Sequence, residues 1–339
     1  METQATDTAA FYRRWAQLEA HGSSPTYERL AHAVADDPTA LAFLHTLPRQ
    51  KRQPNLLFGA LRWFDAPVED PIAALTFLAE HAEALHALMR TRATQTNEAT
   101  RCAVLLPALA LLPGPLAVLE LGASAGLCLL LDTWAYEWTD ESGAVTRLGT
   151  GPVRLRTQVT GPVPLPTELP PIVARLGLDA APVDVRDADQ RRWLQCLVWP
   201  EHTDRASLLR AALDRAGATP PPVAQGLFPA DVPAAVSRLR QFEPDATVVV
   251  LHSAAAAYLG REERTVLTDM LTGLDVRRIG LEGPQVSTEL GVRDVPEAAP
   301  GRFVLSLDGR ALATTHPHGR DLHWLTGAAH TRGRHAPVQ

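Results

Sequence analysis

Residues 116–132 read LAVLELGASAGLCLLLD. The first part, LAVLELG, is a short apolar run with no polar face, the pattern of a strand buried on both sides in a parallel sheet. It closes on Glu120. Gly122, Ala123, Ser124, Ala125 and Gly126 follow as a small-residue turn, and a second apolar run, LCLLLDTWAYEW (127–138), reads as a helix. Glycines let the backbone approach a neighbour closely, and a helix start aims free amides at whatever lies above it. Strand, turn and helix in this order point to a cradle for a nucleotide-like cofactor. The spacing Gly122-x-x-x-Gly126 lacks the six-position glycine pattern of dinucleotide sites. Close strand-to-helix packing without a ligand is the competing reading.

Downstream, strand-like and helix-like segments alternate. A Gly/Pro-rich stretch, 139–171, carries AVTRLG and VRLRTQV and is expected to be an inserted hairpin. IVARLGLD (172–179), PVAQGLF (222–228), ATVVVLHS (246–253), VRRIGLEG (276–283), RFVLSLDG (302–309) and RALATTH (310–316) read as strands. Residues 187–200, 204–217 and 261–274 read as helices. Such alternation predicts a parallel sheet covered on both faces, with its ligand crevice at the strand C-termini. Asp308-Gly309 predicts an antiparallel hairpin at the end.

Upstream, FYRRWAQLEA, YERLAHAVADD and IAALTFLAEHAEALHALMR keep helical spacing, punctuated by SSP, DDP and turns near Pro67 and Pro71. No strand pattern precedes residue 116. A further helix is expected over 97–112, kinked or restarted at Pro107. The expected organisation is a helical N-terminal domain (1–92), an α/β Rossmann-like domain (93–328) and a flexible tail (329–339).

The 339 residues carry a formal charge of −6, which excludes a generally basic nucleic-acid binder. Cys102, Cys128 and Cys196 are too dispersed for a disulfide framework or a thiolate zinc site, and a reducing cytoplasm is expected. The N-terminus lacks the apolar core of a signal peptide. The uncharged run 102–119 is broken by Pro107, Pro113, Gly114 and Pro115, so it is read as buried helix, turn and strand, not a membrane span.

Gly122-Ala123-Ser124-Ala125-Gly126 also spells G-x-S-x-G, the nucleophile elbow of α/β-hydrolases. His316 or His318 would then be the late histidine, with Asp245 or Asp275 as the acid. That reading puts the nucleophile on the first strand, against the hydrolase order.

Taken together, Gln95-Thr96-Asn97-Glu98 ahead of RCAVLLPAL, then LELGASAGL, RLGLDAAPVDV, WLQCLVWPE and HPHG resemble the bacterial family called domain of unknown function 2332. That family is similar in pattern to class I S-adenosylmethionine-dependent methyltransferases. The resemblance covers nearly the whole chain. It implies S-adenosylmethionine as cofactor and a class I methyltransferase fold, a parallel sheet with a C-terminal antiparallel hairpin. It also implies that Glu120, Gly122, Ser124 and Gly126 surround the methionine half and that Asp179 takes the ribose hydroxyls; Ala123, Gln95 and Ser253 are expected at the cofactor as well. Two departures are visible. Cys128 stands where the family has Asn, and Leu227 follows Gly226 where an acid is expected.

Other groups carry two readings each. Asn97 caps a helix or, with Arg101, grips a polar ligand moiety. His252 and Ser253 end the most apolar strand, where a crevice is expected, and His252 suits the base that takes an acceptor's proton. Tyr258 is a further catalytic candidate, and Glu282 reads as a solvated rim residue. His316, His318, Asp321 and His323 form no compelling metal set, so no metal is expected. Trp193, Trp199 and Pro200 read as core or interdomain contact.

The expected function is an S-adenosylmethionine-dependent transferase acting on a small molecule, with no nucleic-acid or membrane partner and with a homodimer left open. A cyclase or lyase releasing methylthioadenosine, a serine hydrolase using Ser124, and an idle nucleoside-binding module are the alternatives.

Overall fold

A computed structural model of the protein describes residues 2–297 and 301–326. The expected tail at 329–339 lies outside these residues. The chain divides into two compact units, one formed by residues 1–97 and 184–211, the other by 98–183 and 212–339. The first is thus helical, as the spacing predicts, but it also recruits a segment from the middle of the sequence.

Its helices begin where short acceptor side chains precede proline. Ser24 accepts the Tyr27 amide, Asp37 the Ala40 amide, and Asp70 those of Ile72 and Ala73, each with Pro at the first helical position. Tyr12, Trp15, Tyr27, Phe58 and Leu30 are buried in its core together with Trp193 of the recruited segment. Glu201 fastens that segment further, accepting the Thr26 amide (2.8 Å) and the Ser24 hydroxyl (2.5 Å).

The second unit is mixed α/β. Its strands are β1 (Leu116–Leu121), β2 (Ala135–Thr139), β3 (Val145–Leu148), β4 (Arg154–Thr160), β5 (Ile172–Asp179), β6 (Val223–Gln225), β7 (Thr247–Ser253), β8 (Arg277–Glu282), β9 (Phe303–Leu307), β10 (Arg310–Thr315) and β11 (Asp321–Trp324). They form one open sheet in the order β3-β2-β4-β11-β10-β9-β8-β7-β1-β5-β6. The stretch β8-β7-β1-β5-β6 is wholly parallel. From β1 the chain steps to β5 and β6 on one side, then to β7 and β8 on the other. In open α/β sheets such a reversal is the general place for a ligand, here the carboxyl ends of β1 and β7.

Three local expectations change. Residues 127–133 form a 3-10 segment interrupted at Leu130, and 135–139 is strand β2, so no α-helix follows the glycine turn. The bulky Trp134, Tyr136 and Trp138, all fully buried, favour an extended strand over a helix here. The hairpin in the insertion joins β2 to β3, while β4 lies on the other side of β2 and parallel to it. A helix at Val232–Phe242 and strand β11 complete the unit. The Asp308-Gly309 turn does join β9 to β10, with positive φ at both residues (48° and 74°).

No helix among the described residues is long and apolar enough to cross a membrane. The three cysteines are free and buried.

Candidate functional site

The turn after β1 is held by backbone geometry. Gly122 and Gly126 have φ of 71° and 68°, and a Cβ on Gly122 would lie 2.5 Å from the Ala255 Cβ. Protein packing alone therefore requires glycine there. Ser124 also has positive φ (49°). Its amide donates to Asp179 Oδ2 (2.8 Å), and the Ala181 amide donates to Oδ1 (2.8 Å). Asp179, half-buried at the end of β5, thus clamps the turn, and each oxygen retains a second lone pair. Because a 3-10 segment follows, no α-helix dipole stands behind the turn, and the Gly122 and Ala123 amides donate to the Leu178 carbonyl and the Gly126 amide to the Ala123 carbonyl.

Glu120 is the buried group of this region. Pairing places Glu120 opposite Leu251 and Leu121 opposite His252, so Glu120 shares a sheet face with Leu251 and Ser253. Burial pushes the Glu120 carboxyl well above its ordinary value, and the adjacent Cys128 thiol adds to this. A hydrogen bond with Cys102, together with burial, raises the Cys128 thiol in turn. Glu120 Oε2 and Ser253 Oγ are buried without a hydrogen-bond partner among the described residues. Buried polar atoms are rarely left so, which singles out these two oxygens at neighbouring strand ends as candidate ligand contacts.

Arg101 links this floor to the turn at 316–319. It is 4% exposed, donates through Nε to the Pro317 carbonyl (2.8 Å) and through Nη1 to the Ser253 carbonyl (3.2 Å), and packs over the Phe303 ring. Its helix, Arg101–Leu109, begins later than the sequence spacing suggests, with Thr100 at the cap position and Pro107 inside. Asn97 therefore does not cap it. Gln95 and Asn97 belong to the helical unit, while Glu98 and Arg101 belong to the α/β unit.

His252 lies elsewhere. Its register turns it to the face bearing Leu121 and Val250, against helices Val232–Phe242 and Arg261–Gly273. There its Nδ1 meets Glu282 Oε1 at 2.9 Å, both side chains being 3% exposed or less. Glu282 is no rim residue. Its Oε1 also accepts the Ala255 and Ala256 amides, holding the loop that abuts Gly122, while its Oε2 is unpartnered. The signal was present in the sequence: RIGLEG repeats the apolar-strand-then-acid pattern of LAVLELG. Tyr258 is 73% exposed just beyond β7.

His316 and His318 stand with ring centroids 5.1 Å apart, and His318 Nδ1 lies 3.5 Å from Glu98 Oε2. No group of three or more His, Cys, Asp or Glu among the described residues is arranged to hold a metal ion. Trp193 and Trp199 serve the helical unit, donating to the Ala93 carbonyl and the Asn55 side chain.

Fold and site together define an α/β protein with a strand-end polar site at a switch point. The chain belongs to the family described as "uncharacterized protein conserved in bacteria (DUF2332)", whose model matches residues 9–71 and 67–324. No curated protein and no solved structure matches it.

Proposed function

We propose that the strand-end site binds S-adenosylmethionine and that the protein is a methyltransferase with a Rossmann-like class I fold acting on a small molecule. The observation that carries this reading is the orphan pair at the switch point, Glu120 Oε2 and Ser253 Oγ, beside the clamped glycine turn. The donor set fits the ligand. Glu120, whose proton burial holds more tightly than usual, offers a carboxyl partner for an ammonium group, and Asp179 has lone pairs for two vicinal hydroxyls. The sulfonium would supply an electrophilic methyl group.

The chain's own residues then bind and align. Asp179 fixes the Ser124 amide and so the path of the turn. Glu282 fixes the Ala255 and Ala256 amides and so the loop against Gly122. Arg101 ties Ser253 to the turn at Pro317. Alignment of this kind is the main requirement of an in-line displacement.

A hydrolytic role for Ser124 has weaker support. β1 is the earliest strand among the described residues, so no preceding strand supplies an oxyanion loop. Ser124 is also 4% exposed.

The test is calorimetric titration with S-adenosylmethionine, repeated on Asp179→Ala. Binding is expected for the unmutated chain and a large loss for the variant; no heat in the unmutated chain overturns the reading. Product analysis separates methyl transfer, which yields adenosylhomocysteine, from ring closure of the aminobutyrate chain, which yields methylthioadenosine.

A further inference from the structure

We infer that Arg101 and the Ser253 hydroxyl form a subsite for the carboxylate of a small molecule, at the carboxyl end of β7 beside the start of β9. The subsite stands on its own residues; only the naming of the cofactor as one source of the carboxylate rests on the proposed function.

The first observation is a buried guanidinium without a counter-charge. Arg101 is 4% exposed, yet among the described residues it makes no ion pair with a carboxylate. Three less buried arginines of the same unit each have one: Arg175 pairs with Asp132 (2.7 Å), Arg302 with Asp321 (2.5 Å) and Arg264 with Glu289. Taking a charge out of water is costly, so charged side chains are almost never fully buried unless paired.

Second, that guanidinium is fixed in place with donors left over. Its Nε donates to the Pro317 carbonyl (2.8 Å) and its Nη1 to the Ser253 carbonyl (3.2 Å), and the Phe303 ring lies 5.9 Å from Cζ. Nη2 has no acceptor among the described residues. A guanidinium is a planar fork of donors only, and a carboxylate is the acceptor whose two oxygens match it.

Third, Ser253 brings a hydroxyl to the same place. Its carbonyl holds Arg101, while its Oγ is buried without a partner among the described residues, on the sheet face that Glu120 shares. A serine hydroxyl donates well to a carboxylate.

Sheet order gives the subsite its position. In the run β9-β8-β7-β1-β5, Ser253 and Phe303 lie on one side of β1 and Asp179 on the other, with Glu120 between them. Two sources of the carboxylate fit this arrangement. One is the α-carboxylate of S-adenosylmethionine, next to the ammonium assigned to Glu120. The other is a carboxylate of the methyl acceptor, which would lie on the β7–β9 side.

The test follows the Arg101 Nε–Hε resonance in the nitrogen-15-labelled full chain, assigned by its disappearance in Arg101→Lys. Acetate is expected to shift it saturably, and acetamide, similar in shape but uncharged, to leave it in place. Ser253→Ala removes only an unpartnered hydroxyl, so its Tm is expected to hold or rise while acetate affinity falls by about tenfold. A resonance moved by neither acetate nor S-adenosylmethionine overturns the inference. So does one moved alike by acetamide, or an acetate affinity indifferent to Ser253→Ala.

Two further arms identify the source. A shift with S-adenosylmethionine and none with its decarboxylated form, acetate being displaced by the former alone, assigns the carboxylate to the cofactor. Acetate that still binds beside S-adenosylmethionine assigns it to the acceptor. Acetate binding without any binding of S-adenosylmethionine removes the proposed function and leaves the carboxylate subsite standing.

Discussion

Glu120 and Ser253 stand on one face of neighbouring strands, β1 and β7, and each carries a buried oxygen with no hydrogen-bond partner among the described residues. An unmade hydrogen bond in a protein interior costs about 1–3 kcal/mol. Under the proposed function, the polar ligand would offset the cost of placing two of them at the point where a parallel sheet reverses its winding.

The raised Glu120 carboxyl makes the empty protein pH-sensitive. Above the ordinary value of 4.5 the unfolded chain loses this proton while the folded chain retains it. Stability therefore falls as pH rises from there toward the folded value, by about 1.4 kcal/mol per pH unit. Glu120→Gln removes that slope, so its Tm should gain on the unmutated protein as pH increases. Parallel pH profiles of Tm would count against the raised carboxyl.

Gly122→Ala should destabilise by about 2–4 kcal/mol, since it combines positive φ with a clash. The clashing partner is the Ala255 Cβ. Adding Ala255→Gly should recover the steric part and leave about 1 kcal/mol from the backbone conformation. Urea melts of the single and double variants check this, and a harmless Gly122→Ala would mean the loop sits elsewhere.

Glu282→Ala leaves His252 buried without its carboxylate and releases the Ala255 and Ala256 amides. A loss of about 3–5 kcal/mol is expected, as for other broken buried pairs. Hydrogen exchange should show faster amides at 255 and 256. Exchange rates unchanged at those two positions would contradict the clamp.

In the helical unit, hydrogen bonds from Ser24 and Thr26 overcome the cost of partial burial and hold the Glu201 carboxyl below its ordinary value. The stability it contributes is present above pH 4.5 and is lost as pH falls through the lowered folded value. Glu201→Ala should cost about 1–3 kcal/mol near neutral pH, because the buried Ser24 hydroxyl and Thr26 amide lose their acceptor. A smaller difference is expected in acid, and a difference constant with pH would refute the linkage.

The layout of the α/β unit was legible because its core strands are apolar throughout and end in acids or polar pairs. LAVLELG, IVARLGLD and ATVVVLHS became β1, β5 and β7, and the helical character before residue 116 followed from spacing and Ser/Asp-Pro caps. The misread segment, 127–138, is apolar at nine of its twelve positions, with Asp132, Thr133 and Glu137 the exceptions, so periodicity did not separate helix from strand. Tertiary burial of Trp134, Tyr136 and Trp138 decided it. Position along a strand located Glu120, Ser253 and His252 at the carboxyl ends of β1 and β7, but only the register showed that His252 faces away from the other two. The Glu98–His318 pair spans more than two hundred residues of chain, and no local pattern announces it.

The most direct measurement is the proton balance of S-adenosylmethionine binding, read by calorimetry in buffers of different ionisation heat. The account predicts binding with release of a proton in the unmutated protein, as the Glu120 carboxyl meets an ammonium, and no such release in Glu120→Gln. Titrations that show no binding heat in any buffer would contradict it.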